Sequence, residues 1–435
     1  MRTNTRPQNT LRTHEGAPAV PSRGIAALRR AVSSCMLFEG EFYEDGMAIA
    51  DRIQQIAATV PVHEVAALAI EARTVMNLRH VSLWLALSVI NRRIGPAYDT
   101  AALVAEVCRR ADEPGELLAM YWKDGRKPVP AAVKRGLAKA MSRHDAYALA
   151  KYDRNGSVKL RDVLRIAHPK AANDEQAAAF GRLLDGTLES ADTWEVALSA
   201  GAGKKESFER LLRDRKLGYL ALLRNLRNMD QAGVDAQLVR DAILERRGAR
   251  QVLPFRYVAA ARAAPRYEAQ LDEALCAAVS EMPVLKGETI VLVDVSGSMR
   301  DKLSGKSDMT RMDAAATLAS IVHGNVRVFT FSQVLQEVPA RRGMAGVDAI
   351  IRSQAHMGTY LGRAVAEINR IPHDRLIVVT DEQSHDAVGA PQAKHAYMIN
   401  VASSERGVGH GAWTRISGFS ENVLAWMHAT ESKDL

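Results

Sequence analysis

The sequence predicts two architectures in one chain: a stack of α-helical hairpins to about residue 285, then a doubly wound α/β domain to residue 435. Three observations carry that reading. Apolar residues recur at helical spacing between residues 24 and 280, with abundant alanine and no alternating β-branched runs. After Met282-Pro-Val-Leu-Lys-Gly287, short apolar runs alternate with helical patterns, as βαβ units do. Two of those apolar runs end in an aspartate, Asp294 and Asp381. In an open parallel sheet, side chains at the carboxyl ends of neighbouring strands converge on one crevice.

The helical part divides by its apolar stripes into segments 25–36, 47–60, 62–77, 81–94, 100–110, 130–141, 160–167, 208–216, 219–228 and 236–246. Between them stand short breaks with helix punctuation: Gly95-Pro96, Pro114-Gly115, Asn155-Gly156, Pro169 and Gly233. Helices of ten to fifteen residues joined by short turns suit an α-solenoid. No repeat of fixed period supports this, so it rests on helix length and turn spacing. Residues 1–23, polar and rich in Arg, Thr and Pro, read as a flexible arm. The longest apolar run, 81–90, is too short to cross a bilayer and suits a buried helix. With no N-terminal apolar segment and three scattered cysteines (Cys35, Cys108, Cys276), the expectation is a cytoplasmic protein without membrane contact.

In the α/β part, strands are expected over 289–294, 326–331, 376–381 and 397–401. Helices are expected around 313–322, from Thr359 onward, and over 421–428. The first strand runs directly into Asp294-Val-Ser296-Gly-Ser298. A carboxylate and two hydroxyls at i, i+2 and i+4 can curl around one small hard cation, which prefers oxygen ligands and keeps open positions. An ordinary strand-to-helix turn with a helix cap would explain Ser-Gly-Ser alone. Two further oxygen donors in order, Thr359 after Gly358 and Asp381 at a second strand end, favour the cation reading. The pattern resembles the metal-ion-dependent adhesion site (MIDAS) of von Willebrand A domains. That resemblance implies one Mg²⁺ or another divalent cation held by Asp294, Ser296, Ser298 and Thr359, with Asp381 direct or through water.

The net charge of +8 is unevenly placed. From Lys286 onward 16 basic and 16 acidic residues cancel, so the surplus lies in the first 285 residues. Residues 123–170 hold 13 basic against 4 acidic residues, plus His144 and His168. A solvated helix face explains most charge runs; a surplus this concentrated points to a polyanion.

The same stretch carries a second resemblance. Val133-Lys134-Arg135-Gly136-Leu137-Ala138-Lys139-Ala140 leads into Tyr147-Ala-Leu-Ala-Lys151-Tyr152, then Arg154-Asn155-Gly156. Leu160-Arg-Asp162-Val-Leu164-Arg165 and Ala167-His168-Pro169-Lys170 follow. Further echoes are Arg79-His80-Val81-Ser82-Leu83 and Ala221-Leu-Leu-Arg224-Asn225-Leu226-Arg227-Asn228-Met229. In this order, ending in Asp294-Val-Ser-Gly-Ser-Met299, they resemble the TROVE domain and von Willebrand A domain of the Ro autoantigen family, in its bacterial or phage form. The resemblance implies HEAT-like helical repeats forming a ring closed by the α/β domain. It assigns 24–285 to TROVE and 286–435 to von Willebrand A.

It further implies a non-enzymatic monomer that binds small noncoding Y-like RNA on a basic outer surface. Single-stranded ends of structured or misfolded RNA would enter the ring, in RNA quality control and decay, with an exoribonuclease such as polynucleotide phosphorylase as partner. The RNA-contact candidates are Lys127, Lys134, Arg135, Lys139, Arg143, His168 and Lys170. Aromatics are 5% of residues, too few for an extended base-stacking platform, which favours backbone and shape recognition. The chain is compact and lacks the longer insertions of animal members. Two other readings stand beside this one: a metal-dependent adhesion scaffold without RNA, and a metal-dependent nuclease. The nuclease fits less well, because nucleases crowd carboxylates around two metals whereas this ligand set is rich in hydroxyls.

Other motifs fail on spacing. Asp153-Arg-Asn155-Gly-Ser157 opens like a calcium loop but has Val158 and Leu164 where Gly and Glu are needed. Gly201-Ala-Gly203-Lys204-Lys205 lacks the P-loop spacing. Asp301 and Glu382 read as solvated or as outer neighbours of the cation loop.

Overall fold

The structure, a computed structural model, describes residues 12–13, 15–18, 23–33, 46–76, 78–93, 98–153, 156–189, 203–303, 309–402, 407–409, 411–417 and 422–431. Arg154 and Asn155, part of the expected turn, lie outside these residues. In chain order the helices before the first strand are α1 (Gly24–Ser33), α2 (Gly46–Thr59), α3 (Val62–Thr74), α4 (His80–Asn91) and α5 (Thr100–Val107). They continue with α6 (Glu113–Tyr121), α7 (Ala131–Met141), α8 (Ala146–Tyr152), α9 (Leu160–Ala167) and α10 (Asp174–Asp185). Then come α11 (Lys204–Arg213), α12 (Tyr219–Gln231), α13 (Ala236–Glu245), α14 (Phe255–Ala263) and α15 (Glu268–Ser280). Packing divides the chain into two compact units: Asp51–Gly218 with Asn228–Val239, and Met1–Ala50 with Tyr219–Arg227 and Arg240–Leu435.

Among the described residues the regular elements of the first unit are all helices. Asp99, Asp145 and Asn173 each accept a backbone N–H in the first turn of α5, α8 and α10, at 3.0, 2.7 and 2.8 Å, filling donors the helix leaves orphaned. Helix α4 is buried from Val81 to Ile90, as its unbroken apolar run requires. Helices α5 and α7 approach so closely that a Cβ on Gly136 would lie 2.6 Å from Val104 Cβ and 2.7 Å from the Ala101 carbonyl.

One buried ion cluster pins the turn between α5 and α6. Glu113 is fully buried and accepts from Arg73 Nη2 at 3.0 Å and Arg79 Nε at 3.2 Å. It also accepts the backbone N–H groups of Arg109 and Arg110 at 2.6 and 2.8 Å. Arg79 reaches Asp112 at 2.8 Å and Glu116 as well. Pro114-Gly115, expected as a break, instead lies in the first turn of α6. Proline fits there because its missing N–H would have had no intrahelical partner.

The second unit is built on a six-stranded sheet. Its strands are β1 (Leu285–Asp294), β2 (Gly324–Phe331), β3 (Leu335–Val338), β4 (Arg375–Thr380), β5 (His395–Asn400) and β6 (Thr414–Ser417). The order is β3-β2-β1-β4-β5-β6, parallel except for the antiparallel edge strand β3. Helices α16 (Arg311–Ser320), α17 (Gly343–Ile351), α18 (Leu361–Ile368) and α19 (Asn422–Glu431) complete it. On one face Ile290, Leu292, Phe331, Leu376, Val378 and Met398 pack with Leu361, Val365 and Ile368 of α18. Strands buried on both faces explain the continuous apolar runs. Short β3 and β6 and helix α17 carried too little periodicity to be read in the sequence.

Two features of this unit lie upstream of the change in sequence pattern. Arg262 of α14 pairs with Asp313 and Asp348, and Asp272 of α15 accepts the Met344 N–H at 2.7 Å. Residues 12–13 and 15–18, within the stretch read as an arm, are packed against this unit. Thr13 Oγ1 and the Ala17 N–H both donate to the Ser384 carbonyl, at 3.1 and 3.3 Å, and Ala17 joins the sheet core. No described helix is long and apolar enough to cross a membrane.

Candidate functional site

The order of the sheet decides what can meet. β1 and β4 are adjacent central strands in parallel register, Val293 beside Val379. Asp294 closes the first and Asp381 follows the second, so both fall on the same carboxyl edge. Both are fully buried. Asp294 accepts the Ser296 N–H at 2.9 Å and the Thr380 hydroxyl at 2.6 Å. Ser296 and Ser298 hydroxyls stand 3.4 Å apart.

Thr359 arrives from the other side. Tyr360 N–H donates to the Ser332 carbonyl at the end of β2, and Gly297 N–H donates to the Met357 carbonyl, both at 3.0 Å. Thr359 is buried, and its peptide exchanges hydrogen bonds with His385: its N–H with ring Nδ1 at 3.2 Å, its carbonyl with the His385 N–H at 2.9 Å. Tyr360 stacks on the His385 ring at 5.2 Å.

Burial pushes the Asp294 carboxyl up to about 7, and the neighbouring Asp381 carboxylate adds to the shift. Two buried acids facing one another strain to hold their charges, which is the electrostatic demand a divalent cation meets. Arg311, itself buried, answers part of it, with Nη1 4.0 Å from Asp381 and 3.6 Å from Asp301. Among the described residues no three His, Cys, Asp or Glu side chains cluster as a metal site. Carboxylates with hydroxyls fit a hard, oxygen-seeking ion and not zinc.

The sequence reading missed Arg311, Thr380 and His385 around this site. A capping box at Thr310 and Asp313 was the available signal that Arg311 opens a helix there. Glu382 is not solvated. It is fully buried with φ +60° and pairs with Arg415 at 2.9 Å, which compensates its charge there.

The seven RNA-contact candidates all lie in the helical unit. Lys134, Arg135 and Lys139 are carried by α7, with Arg135 and Lys139 one turn apart. His168 ends α9 in the left-handed conformation, φ +50°, which turns the chain so that Lys170 follows at once. That loop is tied to the end of α7: Ser142 Oγ donates to the Lys170 carbonyl at 2.7 Å. Gln176 Nε2 donates to the carbonyls of Ser142 and His144 at 3.1 and 2.6 Å. Residues 28 or more positions apart are thereby joined on one surface.

Among the described residues no carboxylate pairs with Lys134, Arg135, Lys139, His168 or Lys170. Arg143 differs: its guanidinium donates to the Ala105 carbonyl at 2.6 Å and to Glu106 at 3.1 Å, bracing α5. Lys127 sits over the Tyr121 ring at 4.2 Å, near the start of α7. Composition hid that arrangement. Aromatics are few overall, yet Lys123, Arg126, Lys127, Arg110 and Lys151 lie over Trp84, Trp122, Tyr121 and Tyr152.

Known proteins share this fold. A family model described as the TROVE domain matches residues 185–312, downstream of the 133–170 block. No curated protein matches by sequence. The crystal structure of the Ro (RSR) protein of Deinococcus radiodurans matches the fold with a TM-score of 0.62 at 19% identity. The match covers 92% of this chain and 99% of that one. The sequence thus matches the TROVE model over residues 185–312, and along most of its length the chain has the fold of a Ro protein.

Proposed function

We propose that the chain binds small structured, Y-like RNA on the surface made by α7 and the 168–170 loop. It would also take single-stranded ends of misfolded RNA, acting in the cytoplasm in RNA quality control and decay alongside an exoribonuclease such as polynucleotide phosphorylase. One observation carries the reading. The Ser142–Lys170 hydrogen bond joins two basic stretches into one surface whose cations, Arg143 aside, lack carboxylate partners among the described residues. Unpaired Lys and Arg attract phosphates and release counterions, giving affinity without base reading. The test is purification of the full chain with its bound RNA, sequencing of that RNA, and a gel shift at low salt. Enrichment of small structured RNA is expected; no binding of structured RNA even at low salt would overturn the proposal.

A second role is supported by the strand-end acids. In this reading Asp294, Ser296, Ser298 and Thr359 hold one Mg²⁺ or Mn²⁺, with Asp381 direct or through water. The ion supplies an open coordination position for a carboxylate of a partner protein. Val334, Met357 and Tyr360, exposed at 54, 52 and 39%, lie on the loops that hold Thr359 and suit a protein partner better than a phosphate backbone. Calorimetry should detect one divalent cation per chain and lose it on Asp294→Ala. Binding of zinc in preference to Mg²⁺ would contradict the ligand assignment.

A further inference from the structure

At the start of α7, within the helical unit, lies a cleft of about 790 Å³. That is ample for a small ligand. Its lining includes the aliphatic side chains of Val89, Ile90 and Val133, all buried, and the ring of Tyr98. Arg93, Lys127 and Arg135 also line it and are exposed. Among the described residues none of these three cations has a carboxylate partner. Among the described residues the lining's one carboxylate, Asp99, is committed to capping α5, where it accepts the Ala102 N–H at 3.0 Å. Tyr121 Oη donates to the Pro128 carbonyl at 2.9 Å, which fixes the loop that presents Lys127.

We propose that this cleft receives one unpaired nucleotide of a bound RNA, its base among the aliphatic and aromatic side chains and its flanking phosphates on Arg93, Lys127 and Arg135. The proposal rests on the reading of α7 as an RNA surface and adds a second mode of contact to it.

Three features favour this occupant. Cations without carboxylate partners ask for an anion, while the apolar lining asks for a flat or aliphatic body; a nucleotide carries both. Bases stacked inside a duplex cannot enter a cleft, so only a bulged, looped or terminal nucleotide can. The cleft is also continuous with the proposed surface, because Arg135 belongs both to its lining and to the exposed face of α7. Tyr98 is half-buried, and burial followed by the Asp99 charge raises its hydroxyl above the ordinary tyrosine value.

The test uses the full chain and two RNA hairpins that differ by one 2-aminopurine, either bulged from the stem or paired within it. Stacking of one base on an aromatic platform supports a preference for the bulged hairpin of about tenfold, with a change in 2-aminopurine fluorescence on binding. Ala132→Trp, which fills the cleft from α7, should abolish that preference, leaving the two hairpins with equal affinity for the variant. Tyr98→Ala should reduce the preference and serves if the larger substitution fails to fold. Equal affinity of the wild type for the two hairpins would overturn the proposal while leaving the RNA surface standing. Failure of both hairpins to bind would instead sink the surface reading. Saturation by free AMP without any preference for the bulged hairpin would make the cleft a small-molecule site, and would also overturn the proposal.

Discussion

At the scale of single residues, the same chemistry serves opposite ends. Glu113 and Asp294 are both fully buried carboxylates, but Glu113 accepts from two guanidinium groups and two backbone N–H groups, whereas Asp294 accepts from one backbone N–H and one hydroxyl and faces a second acid. Glu113→Gln removes the charge that two arginines share, and should destabilise the helical unit by about 3–5 kcal/mol, read by urea unfolding. Asp294 behaves otherwise. Its folded carboxyl is raised to about 7 by burial and then by Asp381. The folded state therefore holds a proton that the unfolded state releases near pH 4. Stability of the metal-free protein should fall as pH rises through that window, by a few kcal/mol at most. Unfolding at pH 5 and pH 8 in EDTA checks this. Asp294→Asn should flatten the dependence, and Mg²⁺ should restore stability at pH 8. His168 offers a third case. His168→Gly suits the left-handed backbone at φ +50° and should keep or raise stability. It should weaken structured-RNA binding all the same, which a gel shift would read; unchanged affinity would remove the ring from the RNA surface.

At the scale of elements, periodicity marked most of the helices. Those expected over 62–77, 81–94, 130–141 and 160–167 correspond to α3, α4, α7 and α9, with ends differing by a few residues. Pro114-Gly115 misled because proline marks the first turn of a helix as readily as a break. Helix α17 escaped notice because Gly343, Gly346 and the small residues between its apolar ones gave no clear stripe. The change of pattern at Pro283 marked where the sheet begins. It could not reveal that α14 and α15 pack in the same unit, since helices that cover a sheet and helices of a solenoid show the same apolar stripe. Gly136 is the element-level constraint that the sequence left silent. Gly136→Ala puts a Cβ within 2.6 Å of Val104 Cβ, so α7 must move away from α5. A destabilisation of about 1–3 kcal/mol is expected, with weaker RNA binding as the basic face shifts.

At the scale of the molecule, charge and topology divide the labour. The basic surplus lies wholly before residue 286, and the strand-end acids lie wholly after it. The candidate cation ligands Asp294, Ser296, Ser298 and Asp381 were legible because they follow directly on apolar strands, and Thr359 because it follows Gly358 at the opening of a helical pattern. The RNA candidates were legible only as a charge surplus and a resemblance. Spacing alone could not show that Ser142 would hold Lys170 against α7, nor that Arg143 would be consumed by Glu106 and the Ala105 carbonyl. The two-site account expects chelation to leave RNA affinity unchanged, because no cation ligand lies on α7 or its loop.

The salt dependence of structured-RNA affinity tests the central claim most directly, measured in EDTA for the wild type and for Lys134→Ala with Lys139→Ala. Removing one lysine that neutralises a phosphate lowers the slope of log K against log salt by about one. The account predicts a slope smaller by about two, weaker binding at every salt concentration, and the same values when Mg²⁺ replaces EDTA. An unchanged slope and affinity in a folded double variant, or abolition of binding by EDTA alone, would contradict it.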